Sequence, residues 1–331
     1  MLERLRSPWT DRRAERTLGA ASLLLALGVV GMVVFVAVHA WPTFQHDGLS
    51  WLGPAPKGTS LESQIAAMQA TSVNPPASAY HLNAWPLVYG TLICTVPAVL
   101  MGLVIAILSS IFIVELAPSR LRRIAIPVIR LLASVPSVVY GLIGILVLVP
   151  FVGNNLVTAS EKASVQNTVE LTGASLLVAV VILTVMITPI MVALTCEALA
   201  SVPSSWREGA IALGVNPVRA ILAVSLRAAR PAIVAAAVLA TARALGEAIM
   251  ISMVSGSRDF APRLGDGLLT FLLEPFRTLA SAIVDYHEGI AAPALGSALY
   301  AFALLLLFSA LVLSVAGYLI KLPLRRYQVR G

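Results

Sequence analysis

Six long apolar runs constrain this chain more than any other feature of its sequence. They cover residues 18–40, 85–116, 124–149, 172–195, 233–254 and 293–320. A helix of about 20 apolar residues crosses the ~30 Å hydrocarbon core of a bilayer, so each run can be a transmembrane helix. With 58% hydrophobic and 12% charged residues, a soluble domain of 331 residues could not bury this apolar surface. The sequence therefore predicts an all-α integral membrane protein with six transmembrane helices.

The polar stretches between the runs give the domain organisation. We expect a basic tail at 1–17, a first transmembrane helix at 18–40, an external loop at 41–85, a core at 86–320 and a second tail at 321–331. The core holds the other five transmembrane helices and a polar interruption at about 197–231. Within the external loop, residues 60 to 70 could form a short surface helix.

The basic residues predict the orientation of the helices. Sixteen Lys and Arg residues fall on the side that holds both tails, the turn at 120–123 and the 197–231 segment. Five fall on the other side: Lys57, Lys162, Arg258, Arg263 and Arg277. Short cytoplasmic loops carry the excess of Lys and Arg, so both termini are predicted to be cytoplasmic.

Several classes of chemistry find no support in the sequence. It has no G-x-x-x-x-G-K-[ST] cradle, so ATP hydrolysis would require another chain. Cys94 and Cys196 sit in or beside apolar runs, and the four histidines share no ligand spacing, which predicts neither a metal site nor a cofactor in this chain. No nucleophile, base and acid set indicates an enzyme. A nucleic-acid partner is not expected, because transmembrane runs flank the basic 197–231 segment on both sides.

The 197–231 segment is predicted to form a helix, a turn and a second helix. Ser204 and Ser205 are candidate N-caps of the first helix. Gly214 can adopt the left-handed conformation that ends it, and the Asn-Pro pair at 216–217 restarts the chain. A solvated, positive-inside loop with no further role is the alternative interpretation.

The spacing inside this segment has a counterpart in a known family. It reads Glu208, Gly209, Ala210, three residues, Gly214, nine residues, and then Val224, Ser225, Leu226 and Arg227. This resembles the EAA loop of ABC importer permeases, which reads E-A-A, three residues, G, nine residues, I-x-L-P. The resemblance implies a cytoplasmic coupling helix that docks on an ATPase subunit. The coupling residues would then be Glu208, Gly209, Ala210, Gly214 and Leu226, and Arg227 departs from the proline of the pattern.

Two charged residues interrupt the fifth apolar run. Arg243 and Glu247 are four residues apart, which predicts one helix face with about one turn between them. Each charge costs roughly 2.5–3.5 kcal/mol at the centre of a transmembrane helix, so neither is expected to face lipid. They either line a substrate pathway or only neutralise each other.

The surroundings of this pair sharpen the family resemblance. Arg-Ala-Leu-Gly-Glu at 243–247 looks like the membrane-embedded motif of phosphate-specific ABC permeases, and the stretches 85–103, 131–144 and, more weakly, 278–286 are also similar to that family. The sequence of this motif fits the C-type subunit (PstC). The resemblance implies the type I importer (MetI-like) permease fold in a prokaryotic cytoplasmic (inner) membrane.

The resemblance also implies partners. These are an A-type permease subunit (PstA-like), a dimer of ATPase subunits (PstB-like) that holds ATP and Mg²⁺, and an external phosphate-binding protein (PstS-like). Membrane lipid surrounds the assembly.

A site with Arg243 and Glu247 could favour phosphate over sulfate. The guanidinium suits an oxyanion, and hydrogen phosphate has a P–OH that can donate to a carboxylate, whereas sulfate has none. Pro136 leaves the Leu132 carbonyl without a helical donor, so Ser137 and Tyr140 could line the same path, although a plain packing kink is the alternative.

Arg130 stands where the family usually has an acidic residue. It could add positive potential near the path or extend to the cytoplasmic interface beside Arg123. Two other transport functions stay open. One is an ABC importer of a different oxyanion, such as sulfate, molybdate or phosphonate. The other is an ion-coupled secondary carrier, which would leave detergent without an ATPase.

Overall fold

The computed structural model describes residues 8–48, 50–54, 59–70, 75–158, 161–162 and 170–324, with the backbone alone at 8–13, 266 and 323–324. Residues 1–7 and 325–331 of the predicted tails, and Lys57, lie outside this part. The α-helices within it are α1 (Pro8–Asp47), α2 (Leu61–Gln69), α3 (Trp85–Ile111), α4 (Ser119–Ala133), α5 (Ser137–Ile143), α6 (Val149–Asn155), α7 (Leu176–Ala200), α8 (Ser204–Ala212), α9 (Pro217–Ala220), α10 (Leu226–Leu245), α11 (Ile249–Val254), α12 (Leu268–Leu273), α13 (Leu279–Asp285) and α14 (Pro293–Leu324).

Three of the spanning helices contain a π turn, a helical turn with i→i+5 hydrogen bonds that holds one residue more than a turn of α-helix. The π turns are Phe112–Leu116, Gly144–Leu148 and Ile221–Ser225. The first continues α3, the second joins α5 to α6, and the third joins α9 to α10. Turns of this kind are rare and occur frequently at functional sites.

Six helical stretches of the described chain are long and apolar enough to cross a membrane. They run over Ala14–Asp47, Ala77–Leu116, Ser137–Asn155, Leu176–Ala200, Pro217–Leu245 and Pro293–Leu322. The prediction of an all-α protein with six spanning helices is confirmed. The two ends of this bundle are named below for a residue that each carries: the Arg207 end and the Arg277 end.

The fourth spanning helix, α7, forms the centre of the bundle. In the most apolar 18-residue stretch of α7, 61% of the residues are buried, whereas 0% are buried in the corresponding stretch of α1. Its partners are α3, α4 and α10, and the large side chains of Leu183, Ile187 and Met191 are almost fully enclosed. The helix α1 lies at the periphery against α14, where Thr43 Oγ1 donates to Ser297 Oγ at 3.0 Å.

The loop between the first two spanning helices is a packed layer at the Arg277 end. Its helix α2 confirms the predicted surface helix, with Ser60 Oγ accepting the N-cap hydrogen bond from the Ser63 N–H at 3.2 Å. The apolar side of α2, with Leu61, Ile65 and Met68, packs into a buried cluster shared with the start of α14. This loop is therefore anchored to the sixth spanning helix.

The third spanning helix begins later than the sequence indicates. The expected run at 124–149 is divided at Pro136, which has no N–H to continue a helix, and the span starts at Ser137 and ends at Asn155. The preceding α4 is a separate amphipathic helix with arginines along it and no buried residue of its own. The predicted boundary at 124 is wrong because proline outweighs the apolar composition.

The fifth spanning helix also differs from its prediction. It begins at Pro217, so the second helix of the 197–231 segment is the start of the span, and the chain passes through Arg227 and Pro231 without an exit turn. It then stops at Leu245, inside the predicted run 233–254, and α11 follows as a separate short helix.

Candidate functional site

The charged residues of the fifth spanning helix lie at its break. Arg243 is in the last turn of α10, which ends at Leu245 with Gly246 as C-cap. The Glu247 carboxylate accepts a hydrogen bond from the Met250 N–H at 3.4 Å, in the first turn of α11. Glycine is a poor helix former, and a side chain that bonds to the backbone competes with the helical pattern. The prediction of one continuous helix face for Arg243 and Glu247 is therefore wrong.

These two charged groups do not neutralise each other in this chain. Among the described residues, no carboxylate oxygen lies within 4.0 Å of the Arg243 guanidinium. Arg243 is exposed and Glu247 is half-buried. The break thus presents a guanidinium and a carboxylate that can both bind a group from outside the chain.

Ser137 and Tyr140 lie at the other break, at the start of the third spanning helix. The Tyr140 hydroxyl donates to the Leu132 carbonyl at 3.1 Å, and this is the carbonyl that Pro136 deprives of its helical donor. Tyr140 is buried, whereas Ser137 is half-buried. The hydroxyl of Tyr140 therefore stabilises the kink, which sequence reasoning identified only as an unsatisfied carbonyl.

The two breaks lie side by side, because α5 packs directly on α11. A Cβ added to Gly141 would meet Met253 Sδ at 2.8 Å and Met250 Cα at 3.2 Å, so glycine permits this close approach. Ser137 precedes Gly141 by one turn, and Glu247 precedes Met250 by three residues. The structure thus brings together the two segments that the sequence predicted to line one path.

The predicted coupling residues lie on and beside α8. Glu208 and Gly209 are exposed on this helix, and Ala210 is half-buried. Gly214 has a φ of +86° and ends the helix as predicted. Leu226 instead packs inward against the ends of α3 and α7, away from the other four residues.

The ends of α8 and α9 are partly as predicted. The N-cap of α8 is Pro203, with no side-chain cap hydrogen bond, so the prediction of Ser204 or Ser205 as the cap is wrong. Asn216 Oδ1 accepts from the Val218 N–H at 2.9 Å, which confirms the restart at the Asn-Pro pair.

An apolar patch surrounds α8 at the Arg207 end. We define it as the docking surface, formed by Trp206, Ile211, Leu213, Val218 and Leu222. Leu213 at the tip of the turn is 87% exposed, and α8 has no buried residue. Several large exposed apolar side chains within one short segment, here 206–222, indicate a candidate protein interface.

Two ion pairs near the Arg207 end escaped the sequence analysis. Glu115, at the end of the second spanning helix, pairs with Arg207 of α8. Arg130 of α4 pairs with Glu197 at 2.7 Å, with both side chains more than half exposed. Neither of the two predicted arrangements for Arg130 included this partner. No sequence signal links partners so far apart in the chain.

A buried polar network at the Arg277 end also escaped prediction. The Arg277 guanidinium contacts Asp259 Oδ1 at 2.5 Å, Asp285 Oδ2 at 3.0 Å and the Ser257 carbonyl at 2.6 Å, and it contacts the Tyr286 hydroxyl. Burial raises the pKa of Asp259 and of Tyr286 above their usual ranges, while Arg277 opposes both shifts. This network joins the segment after α11 to α13.

The described residues contain no group of three His, Cys, Asp or Glu side chains that could hold a metal ion. Cys94 and Cys196 are both buried and unpaired by disulfide. The candidate functional sites in the described part of the chain are the two adjacent helix breaks, at 246–248 and at Pro136, and the docking surface.

Comparison with known proteins identifies the family. Residues 98–322 match the family described as "Binding-protein-dependent transport system inner membrane component". The chain belongs to this family. The permease is 33% identical over 265 residues to the probable ABC transporter permease protein YqgH of Bacillus subtilis, with 78% of each chain covered.

Further relatives carry the name of a phosphate system. The phosphate transport system permease protein PstC 1 of Mycobacterium tuberculosis is 33% identical over 249 residues, with 72% of each chain covered. PstC of Mesorhizobium japonicum is 27% identical over 319 residues, which cover 94% of the permease and 90% of that relative.

A solved structure supports the fold. An inward-facing crystal structure of the MetNI methionine ABC transporter contains a chain that aligns with a TM-score of 0.51 at 20% identity, over 72% of the permease and 96% of that chain. The MetI-like fold is thereby confirmed. The permease is a non-catalytic, multi-pass transport subunit of an ABC importer in the inner membrane, and its family implies an ATPase and a binding protein as partners.

Proposed function

We propose that the permease is the C-type subunit of an ATP-driven importer of inorganic phosphate. The observation that carries the proposal is the break in the fifth spanning helix, where Arg243 has no ion-pair partner among the described residues and Glu247 presents a carboxylate. The relatives named as phosphate transport permeases support the choice of substrate.

The chemistry of the break suits a protonated oxyanion. The planar guanidinium of Arg243 offers paired donors to phosphate oxygens. The Glu247 carboxylate repels a fully ionised anion but accepts a hydrogen bond from the P–OH of hydrogen phosphate. Ser137 adds a hydroxyl beside the same break, while Tyr140 holds the kink next to it. Sulfate lacks the P–OH donor and would leave the carboxylate unmatched, which is costly away from water.

The other chains of the assembly supply energy and substrate. An A-type permease subunit completes the membrane part, two ATPase subunits bind ATP with Mg²⁺, and an external phosphate-binding protein delivers the anion. The ATPase subunits dock on α8 through Glu208, Gly209, Ala210 and the turn at Gly214, together with the docking surface. Leu226 lies outside this surface and packs against the ends of α3 and α7.

The Arg207 end of the permease faces the cytoplasm in this proposal. Both termini then lie on the cytoplasmic side, together with the basic residues at 120–123 and 197–231. The packed loop with α2 and the Arg277 network face the outside, where a binding protein can approach.

Uptake of labelled phosphate into proteoliposomes tests the proposal directly. The reconstituted complex contains the permease, the A-type subunit, the ATPase subunits and the binding protein, with ATP inside the vesicles. We expect ATP-dependent accumulation of phosphate that exceeds that of sulfate, molybdate or phosphonate. Preferential accumulation of one of these three would contradict phosphate as substrate, and accumulation without the ATPase subunits would indicate a secondary carrier.

The substitution Glu247→Gln tests the role of the carboxylate. Glutamine keeps the shape but can donate to sulfate, so we expect the ratio of phosphate to sulfate uptake to fall by roughly tenfold, the worth of one charge-assisted hydrogen bond. Glu197→Gln is the matched control, because Glu197 is an exposed carboxylate on a neighbouring helix and should leave the ratio unchanged. Equal ratios for parent and Glu247→Gln would exclude the carboxylate from selection.

A further inference from the structure

The ion pair between Glu115 and Arg207 bridges the second spanning helix and α8. Glu115 lies in the π turn Phe112–Leu116 at the end of α3, and Arg207 lies in the first half of α8. The Glu115 side chain is 3% exposed and that of Arg207 is 32% exposed. A carboxylate this deeply buried requires a cationic partner.

The pair faces a small polar cavity between three segments. The cavity has a volume of about 150 Å³, and its polar lining comes from Glu115, Arg122, Ser204, Arg207 and Ser225. Glu115 and Ser225 belong to two different π turns, one in the second and one in the fifth spanning helix. Both π turns therefore border the cavity, and turns of this kind occur frequently at functional sites.

Few other contacts fix the position of α8. This helix has no buried side chain, and its close backbone neighbours are the residues that follow it at 217–225. In the described part of the chain, Arg207 is the one cation within 4.0 Å of the Glu115 carboxylate. The attachment of α8 to the second spanning helix therefore depends on this charge pair.

We propose that Glu115 and Arg207 are positioning residues that transmit movement of α8 to the second spanning helix. The inference rests on the proposed function, in which an ATPase moves α8. Arg207 is half-buried, while Trp206, Ile211 and Leu213 of the docking surface are exposed. Loss of the pair should thus change the transmission of movement and leave the binding of the ATPase intact.

Hydrogen exchange of the purified, complete permease gives the first test. In Arg207→Gln the buried Glu115 loses its partner, and we expect the amides of α8 to exchange roughly tenfold faster. Glu115→Gln should have a smaller effect, because the remaining Arg207 reaches solvent. Arg207→Lys keeps the charge and should fall between Arg207→Gln and the parent. The control is Glu197→Gln, which removes an exposed pair and should match the parent.

The ratio of phosphate uptake to ATP hydrolysis in the complete complex gives the second test. We expect this ratio to fall severalfold in Arg207→Gln and Glu115→Gln while the ATPase co-purifies in the parental amount, and Glu115→Lys with Arg207→Glu to recover part of it. The inference is overturned if the amides of α8 exchange at the parental rate in both Arg207→Gln and Glu115→Gln. It is also overturned if they exchange faster while the ratio of phosphate uptake to ATP hydrolysis is unchanged. A parent complex that neither hydrolyses ATP nor takes up phosphate refutes the proposed function itself and, with it, the transmission role.

Discussion

Arg277 is the cation of a buried charge network in the described part of the chain. It sits between the carboxylates of Asp259 and Asp285, and its guanidinium lies 4.6 Å from the centre of the Tyr286 ring. Its side chain is 9% exposed and that of Asp259 is 2% exposed. Removing one partner of such a group leaves the others charged and buried, which costs more than the pair itself contributes.

We predict that Arg277→Gln lowers the free energy of unfolding by roughly 3 kcal/mol at neutral pH. The loss should shrink towards acid pH, because burial already holds the pKa of Asp259 above its usual range and Arg277, more than the Tyr286 hydroxyl, limits the rise. A carboxyl whose pKa is higher in the folded chain stabilises the fold when protonated, and this contribution is lost as pH rises through the folded-state pKa. Without Arg277 that pKa rises further.

Thermal unfolding in detergent from pH ~4 to pH ~8 measures the effect, a range that covers the titration of a carboxyl with a raised pKa. The difference in transition temperature between the parent and Arg277→Gln should be largest at the upper end of this range. Arg258→Gln, at a nearby exposed arginine, serves as the control and should be within error of the parent. A pH-independent difference would argue against Asp259 as the group that responds.

At the scale of the element, α8 depends on the glycine that ends it. Gly214 has a φ of +86° with no neighbouring atom near the position of a Cβ, so a side chain there is disfavoured by the backbone alone. Gly209, five residues earlier, has equally open space and an ordinary φ. The two glycines form a matched pair that differs in backbone conformation.

We predict that Gly214→Ala destabilises the end of α8 by about 1 kcal/mol and lowers the amount of ATPase that co-purifies with the permease. Gly209→Ala should leave this amount unchanged or raise it, because alanine is the residue that the E-A-A pattern has at this position and it favours the helix by up to about 1 kcal/mol. Quantitative co-purification from detergent, normalised to inserted permease, checks both variants. Parental ATPase recovery in Gly214→Ala would remove the turn from the docking site.

The sequence predicts the existence of these elements better than their boundaries. Apolar length is a strong signal, and all six spanning helices follow it. The boundaries depend on single residues whose effects oppose composition, such as Pro136, which ends α4, and Gly246, which ends α10. At the site, the sequence identifies Arg243 and Glu247 as charged residues within an apolar run. It does not predict that the helix breaks between them, so their relative positions could not be predicted.

At the scale of the whole molecule, the long-range contacts were beyond sequence reasoning. The partners of Glu115 and Arg277 come from segments that only the packing of the bundle brings near. The attachment of the external loop to α14 is of the same kind, because Leu61, Ile65 and Met68 show helical spacing but do not indicate which helix they contact. A single sequence gives the faces of the elements but not their pairing.

The two ends of the bundle predict opposite accessibility in the cell. Leu213 is 87% exposed at the tip of the turn after α8, and Glu62 is exposed on α2 at the opposite end. We predict that a membrane-impermeant maleimide labels Leu213→Cys only from the cytoplasmic side and Glu62→Cys only from outside. The parent should stay unlabelled, since Cys94 and Cys196 are buried. The reverse pattern would invert the proposed topology.

The π turn at Gly144–Leu148 allows the third spanning helix to pack against two different segments of the chain. Before the turn, Gly141 lies against Met250 and Met253 of α11, and after it Gly153 lies against the backbone of Thr172. An α-helix rotates by 100° per residue, so one additional residue re-phases everything downstream by roughly that angle. Insertion of a single residue can thus turn a different face of a membrane helix towards its neighbours after the insertion. The half of the helix before the insertion keeps its original contacts, and the length of the helix barely changes.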